Sequence, residues 1–222
     1  HGQNPELFYP KDKPIDVFRF LLNKGWRNNY DRGGTMYAIK AFLEEFTDKD
    51  NVELICKINQ VYGIPDINKL IEELRPKDKT NLPKLIINFD NLPYNKLVDL
   101  YNNCNVFIMP SRAESFGIPG IEAMACGLPV ITTNFGGQID YCNNENGWII
   151  SGELEEIQHE LLYEGVNWLT PNIDELKKIM REAYENPNLV KQKSEKALET
   201  AKQFTWDNSA DKIMELYETF IC

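Results

Sequence analysis

The chain has 222 residues, of which 42% are hydrophobic, 11% aromatic and 26% charged, a make-up that fits a folded globular domain and excludes a disordered or fibrous one. Lys and Arg number 24 against 34 Asp and Glu, and the resulting net charge of −10 opposes broad contact with a phosphate backbone, so no nucleic-acid partner is expected. No apolar run approaches the roughly 20 residues of a spanning helix, and the opening HGQNPELFYPKDKP lacks the regions of a signal peptide, so a soluble, untargeted chain is expected.

After the turn-rich lead with Pro5, Pro10 and Pro14, residues 17–22 form an apolar run of strand length. A polar loop over residues 23–32 follows, and Gly33-Gly34 open a helical pattern carried by Met36, Ile39, Ala41, Phe42, Leu43 and Phe46. The alternation continues with a strand over 52–58, a helix over 67–74, a strand over 85–89 and a helix over 94–101 with Pro93 at its first turn. A strand over 106–109, a helix over 119–125 stopped by Gly127, a strand over 130–132 and a sixth over 147–150 complete it. Such βαβ repetition predicts an α/β fold, a doubly wound parallel sheet of Rossmann-like type. From Leu154 onward the pattern reads as mostly helical: Asn172 can cap a helix over 173–184, and Thr205 a last one over 206–220. The expectation is one domain over 1–222, with an α/β core over 1–151 and a helical tail over 152–222 packed on it.

The five cysteines, at 56, 104, 126, 142 and 222, show no C-x-x-C pair and read as reduced thiols. With His1 and His159 as the only histidines, a Ser-His-Asp or Cys-His arrangement has little to draw on, and no metal site is expected. Chemistry here must rest on carboxylates, arginines and backbone groups.

Ligands of open parallel sheets bind outside the carboxyl ends of the strands, which directs attention to the strand-to-helix loops. The most informative is SRAESFGIPGIEAMACGLP over 111–129. Glu114 lies in the loop, Gly117 and Gly120 permit close backbone approach, Pro119 suits a first helical position and Glu122 falls on the first turn. Free amides at a helix start attract anions, and ionised carboxylates accept hydrogen bonds from vicinal sugar hydroxyls, a combination that describes a nucleotide sugar. In GWRNNYDRGG, Arg27 and Arg32 follow the first strand and suit a diphosphate. Structural alternatives stand beside each feature: Glu114 and Glu122 as carboxylates favoured by a helix dipole, Arg27 and Arg32 as solvated loop charges, Lys57 as a snorkelling side chain. The glutamates and arginines, however, share one rim of one sheet.

PSRAESFGIPGIEAMACGLPVITTNFGG resembles the signature of the family 4 glycosyltransferases, retaining enzymes of the two-domain GT-B fold. It carries P-S-x-x-E-x-F-G-x-x-x-x-E-A-M-A-x-G-x-P-V, with the E-x7-E spacing at Glu114 and Glu122 and the Gly-Gly at Gly136-Gly137. HGQNPELFYP, GWRNNYDRGG, NLPYNKLVDLYNNCNVFIMPS and FTWDNSADKIMELYETF resemble, in order, the family's hinge, phosphate loop, base-side segment and closing helix. The resemblance covers nearly the whole chain as the C-terminal, donor-binding half of such an enzyme. It implies that Glu114 contacts donor-sugar hydroxyls and that backbone amides of Phe116, Gly117 and Ile118, flanked by Ser115 and Pro119, hold sugar and pyrophosphate. Glu122 would grip the ribose diol, Arg27 and Arg32 would neutralise the departing diphosphate, and Phe89, Asn91 and Leu92 would flank the base. The chain departs from the family pattern in carrying Arg32 where lysine is usual and CKINQVYG in place of a glycine-rich turn, so Lys57, a candidate donor contact near the end of the second strand, and Asn59 are expected to meet the ligand differently from the family or not at all.

The resemblance further implies a metal-independent enzyme with no cofactor beyond its nucleoside-diphosphate-sugar donor. An N-terminal acceptor-binding domain would be the partner, so that efficient transfer by this half alone is not expected. A cytoplasmic location follows, with membrane contact only through the other half. The competing readings are a non-catalytic module that binds a nucleotide sugar or a partner protein, and a sugar-nucleotide epimerase, against which the E-x7-E and E-A-M-A-x-G-x-P-V runs weigh.

Overall fold

The computed structural model describes residues 1–12, 16–25, 31–59, 66–157 and 165–221. Six parallel strands form the main sheet: β1 (Phe18–Gly25), β2 (Val52–Asn59), β3 (Lys84–Asn88), β4 (Val106–Met109), β5 (Val130–Thr133) and β6 (Gly147–Ile150). They lie in the order β3-β2-β1-β4-β5-β6. The order reverses between β1 and β4, the topological switch point at which doubly wound sheets open a crevice. The expected fold class is thus the observed one, and each expected strand is present within two or three residues of its expected limits.

Why the strands read as near-continuous apolar runs is plain from their packing, since both faces are covered. In β1, Phe20 and Leu22 face one layer and Leu21 the other, as pleating requires. The first layer contains α1 (Thr35–Glu45), α2 (Ile67–Leu74) and α5 (Ile173–Glu185), with Phe42 of α1 and Leu176 and Met180 of α5 fully buried. The second contains α3 (Tyr94–Asn102), α4 (Ile118–Ala125) and α6 (Pro187–Ala201), with Tyr101, Ile121, Met124 and Ala197 at its centre. Cys56, Cys104, Cys126 and Cys142 are unpaired and buried within these layers. Burial pushes the thiols of Cys104, Cys126 and Cys142 up to about 12, so they stay protonated at neutral pH.

The helical tail is present: Asn172 Oδ1 accepts from the Glu175 amide to cap α5, and Thr205 Oγ1 accepts from the Asn208 amide at α7 (Trp206–Ile221). The helical reading from Leu154 onward is corrected at its start. An antiparallel hairpin of β7 (Gly152–Ile157) and β8 (Val166–Pro171) stands there, because Trp168 and Leu169 bury themselves on the α/β core while the glutamates of β7 remain outside. Among the described residues no helix is long and apolar enough to cross a membrane.

Two glycines with positive φ separate strain from crowding. Gly34 (φ 75°) closes the turn before α1, and a Cβ there would sit 1.9 Å from the Pro110 carbonyl oxygen behind β4. Gly165 (φ 77°) precedes β8, and a Cβ there would meet nothing within 4 Å among the described residues. Gly165→Ala is expected to lose about 1 kcal/mol from conformation alone. Gly34→Ala is expected to lose about 2–4 kcal/mol, a fall of roughly 4–16 °C in Tm, because the β1 and β4 loops must part. Thermal unfolding of both variants checks this, and equal losses would contradict the close approach of the two loops.

Candidate donor-binding site

At the switch point the carboxyl ends of β1 and β4 lie side by side, and the last polar residues of β1 point to opposite faces. Lys24 turns toward the α1 side. Its Nζ lies 2.5 Å from Glu114 Oε2, with both side chains largely buried, and its methylene stem fills the space left by Gly33, where a Cβ would come within 3.2 Å. Burial raises the Glu114 carboxyl, but the Lys24 ammonium, its hydrogen bond and the charge of Arg32 outweigh that and hold it below the ordinary range. For Lys24 burial dominates and lowers the ammonium, against the opposing pull of Glu114.

Asn23 turns to the other face. Its Nδ2 donates to the Tyr101 hydroxyl at 3.2 Å, and that hydroxyl donates to Glu122 Oε2 at 3.1 Å. Glu122 is the fifth residue of α4 and lies on its second turn, a correction to the first-turn placement. The helix begins at Ile118, one residue earlier than expected, and a glutamate five positions in faces the α3 flank, where it is mostly enclosed. Burial therefore pushes its carboxyl up to about 7, with the Tyr101 hydrogen bond pulling against the rise.

Between these carboxylates runs the loop that ends at Gly117, the left-handed N-cap of α4 (φ 82°), where no side chain caps the helix. Phe116, Gly117, Ile118 and Pro119 lead the chain into the helix beside Glu114 and Ser115. Tyr141 donates its hydroxyl to the Gly117 carbonyl at 2.8 Å, and Gly120 leaves room for that ring, since a Cβ would meet the hydroxyl at 2.4 Å. From behind, the Gly137 amide donates to the Glu114 carbonyl at 3.0 Å, and a Cβ on Gly137 would fall 2.0 Å from the Ser115 carbonyl oxygen. The Gly-Gly pair after β5 thus lets two backbones touch and holds the Glu114 turn in place.

The β1–α1 loop is anchored by Asp31, which is buried and accepts from the Thr35 and Met36 amides at 2.7 and 2.6 Å. Burial raises its carboxyl to about 6. Arg32, exposed beside it, acts on both Lys24 and Glu114 through its charge, while its carbonyl accepts from the Arg112 amide at 2.9 Å. Arg27 lies outside the described residues. Lys57, at the end of β2, pairs in register with Asn23 and is buried, which lowers its ammonium. Asn59 ends the same strand, exposed.

Phe89, Asn91 and Leu92 follow the edge strand β3, two strands from β1 and so roughly 10 Å along the rim. Phe89 packs partly on the core, Asn91 is exposed and Leu92 is half-buried. Among the described residues no group of three or more His, Cys, Asp or Glu side chains gathers in a way that could hold a metal ion. The structure thus brings Glu114, Arg32 and residues 115–119 together at the carboxyl ends of β1 and β4, holds Glu122 through Tyr101 on the opposite face of β1, and sets Lys57 on β2 in register with Asn23. Sequence reasoning missed Lys24, Asn23 and Tyr101. The signal for the first two was their position as the only polar residues closing the β1 run, at a carboxyl end in an α/β sheet.

Residues 60–203 match the family model described as "Glycosyl transferases group 1". Among curated proteins, the D-inositol 3-phosphate glycosyltransferase of Corynebacterium urealyticum is 25% identical over 185 residues, which cover 83% of this chain and 39% of that protein. The enzyme of the same name from Rhodococcus jostii is 32% identical over 123 residues, 55% of this chain and 23% of that one. The matched segments therefore cover well under half the length of these relatives. Among solved structures, HepE of Anabaena in complex with UDP-glucose superposes with a TM-score of 0.71 at 17% identity, covering 98% of this chain and 56% of that one. The C-terminal domain of the group 1 glycosyl transferase LpcC from Francisella tularensis gives 0.69 at 15% identity, with 91% and 97% covered. The fold and the matched segment agree, and the chain belongs to the group 1 glycosyl transferases.

Proposed function

We propose that this chain is the donor-binding half of a retaining glycosyltransferase, taking a nucleoside-diphosphate sugar at the switch point between β1 and β4. The observation that carries this reading is the pair of carboxylates held by consecutive residues of one strand, Lys24 to Glu114 and Asn23 through Tyr101 to Glu122, on either side of an uncapped helix start. Anionic phosphate suits the amides at the start of α4, whose dipole favours negative charge. Diols suit the carboxylates, which only accept hydrogen bonds when ionised.

In the proposed transfer the bond between the anomeric carbon and the diphosphate oxygen breaks, a bond to the acceptor oxygen forms, and the acceptor's proton leaves with the nucleoside diphosphate. Charge builds on the diphosphate as it departs. Arg32 and Arg27 are assigned to offset it, electrostatic work that in other transferases falls to a metal ion. Glu114 orients the sugar and Glu122 the ribose, with the base toward Phe89, Asn91 and Leu92. That a fold neighbour was solved with UDP-glucose supports a nucleotide-sugar donor. The acceptor site is assigned to an N-terminal domain, in keeping with relatives much longer than this chain.

A calorimetric titration of the 222-residue chain with UDP-, GDP- and ADP-sugars in EDTA tests the reading. Saturable binding of one donor class is expected, and no binding of any would count against a donor site formed by these residues. The pH dependence is a second test. With its carboxyl near 7, Glu122 is about one-tenth ionised at pH 6 and about nine-tenths at pH 8, and only the ionised form accepts from a diol without offering a competing proton. Affinity for the matching nucleoside is therefore expected to rise about tenfold from pH 6 to pH 8 and to be flat for Glu122→Gln. Parallel profiles for the two proteins would remove Glu122 from the diol.

A further inference from the structure

The β7–β8 hairpin is not needed to close the parallel sheet, yet it is fastened to the loop that carries Glu114 through one residue. Arg112 donates its amide to the Arg32 carbonyl at 2.9 Å, and its own carbonyl accepts from the Leu169 amide at 2.8 Å. Its main chain therefore bridges the β1–α1 loop on one side and β8 on the other. The side chain repeats the link. Nε donates to the Leu169 carbonyl at 3.3 Å and a terminal nitrogen to Glu155 Oε2 of β7 at 2.7 Å, an oxygen that also accepts from Thr170. The guanidinium lies 5.5 Å from the Trp168 ring and 5.9 Å from the Tyr37 ring of α1. Its charge also bears on buried Asp31, the anchor of the β1–α1 loop.

Arg112 is thus shared by three segments, two of which carry proposed donor contacts. Glu114 follows it by two residues, and Arg32 accepts its amide. Glu122, in contrast, is held on the other face of the sheet by Asn23 and Tyr101, with no part in this network. We propose that Arg112 is a positioning residue for donor binding, through which the β7–β8 hairpin braces the sugar-facing carboxylate Glu114 and the Arg32 loop. The proposal rests on the donor-binding reading above. Arginine suits the task because its planar fork makes two hydrogen bonds in different directions while stacking on rings, which a lysine cannot reproduce.

Because the two carboxylates are held separately, loosening Arg112 has to act on the sugar end of the ligand and leave the nucleoside end alone. A residue that only stabilises the fold would weaken both alike. The test compares a nucleotide sugar with the matching monophosphate by calorimetry, using UDP-glucose against UMP, GDP-mannose against GMP and ADP-glucose against AMP. For the pair that the wild-type chain binds, Arg112→Met is expected to weaken the nucleotide sugar about tenfold or more and the monophosphate less than about twofold. Arg112→Lys is expected to recover part of that loss, and Glu155→Gln, altered only on the exposed hairpin, to show a smaller loss of the same kind. If Arg112→Met fails to fold, the last two variants carry the comparison. Equal losses for both ligands, or none for either, would overturn the positioning role. Failure of the wild-type chain to bind any of the six ligands would overturn the donor reading itself, which is a distinct result.

Discussion

A buried ammonium against a partly buried carboxylate, Lys24 on Glu114, ties the end of β1 to the loop after β4, the two strands between which the sheet reverses its order. Neither charge tolerates that burial alone, since removing one partner of such a pair leaves an uncompensated ion in a low-dielectric surround. The two loops that meet there are therefore held together by charge as well as by shape. Gly33 makes room for the lysine stem, Gly34 lets the turn approach Pro110, and Gly137 lets the β5 turn lie on Ser115. Gly33 and Gly34 serve this contact from the end of β1, and Gly137 serves it from the end of β5.

The pleat of β1 extends this constraint to the second carboxylate. Consecutive side chains point to opposite faces, so a strand that delivers Lys24 to Glu114 must present Asn23 to the α3–α4 layer, where Tyr101 relays it to Glu122. The environments differ in kind. Glu114 meets a full positive charge and is held ionised, while Glu122 meets only neutral donors and its carboxyl rises toward neutrality. One strand end thus keeps two carboxylates at different readiness to accept a hydrogen bond. That difference suits a ligand whose two hydroxyl-bearing ends flank an anionic middle.

Much of the fold was legible in the sequence because an α/β sheet buried on both faces writes its strands as short apolar runs separated by helical periods. Residues 67–74, 106–109 and 147–150 begin and end in the structure where hydrophobicity alone places them. The β7–β8 hairpin was not legible, because its glutamates and exposed Leu154 mimic an amphipathic helix and its hold on the core joins buried Trp168 and Leu169 to Arg112, a residue distant in sequence. Glu114 and Glu122 were singled out through the family resemblance, and the structure sets them on either side of the α4 start. The turn on which Glu122 sits was not legible, because the helix start is set by a left-handed glycine and a tyrosine contact that no local pattern reports. Lys24, Asn23 and Tyr101 escaped notice for a related reason: each looks like the polar end or core aromatic of an ordinary element, and its role arises only when two strands are laid side by side.

The central claim is that the end of β1 holds the site's carboxylates in place, and a double-mutant cycle of Lys24→Met and Glu114→Gln, read by denaturant unfolding, tests it most directly. Each single variant leaves one buried group without its partner, whereas the double variant removes both. A coupling of about 2 kcal/mol or more is predicted, with the double variant more stable than the sum of the single losses implies. Additive losses would mean that Lys24 and Glu114 are independent residues on neighbouring loops, and the account of the switch point would fail.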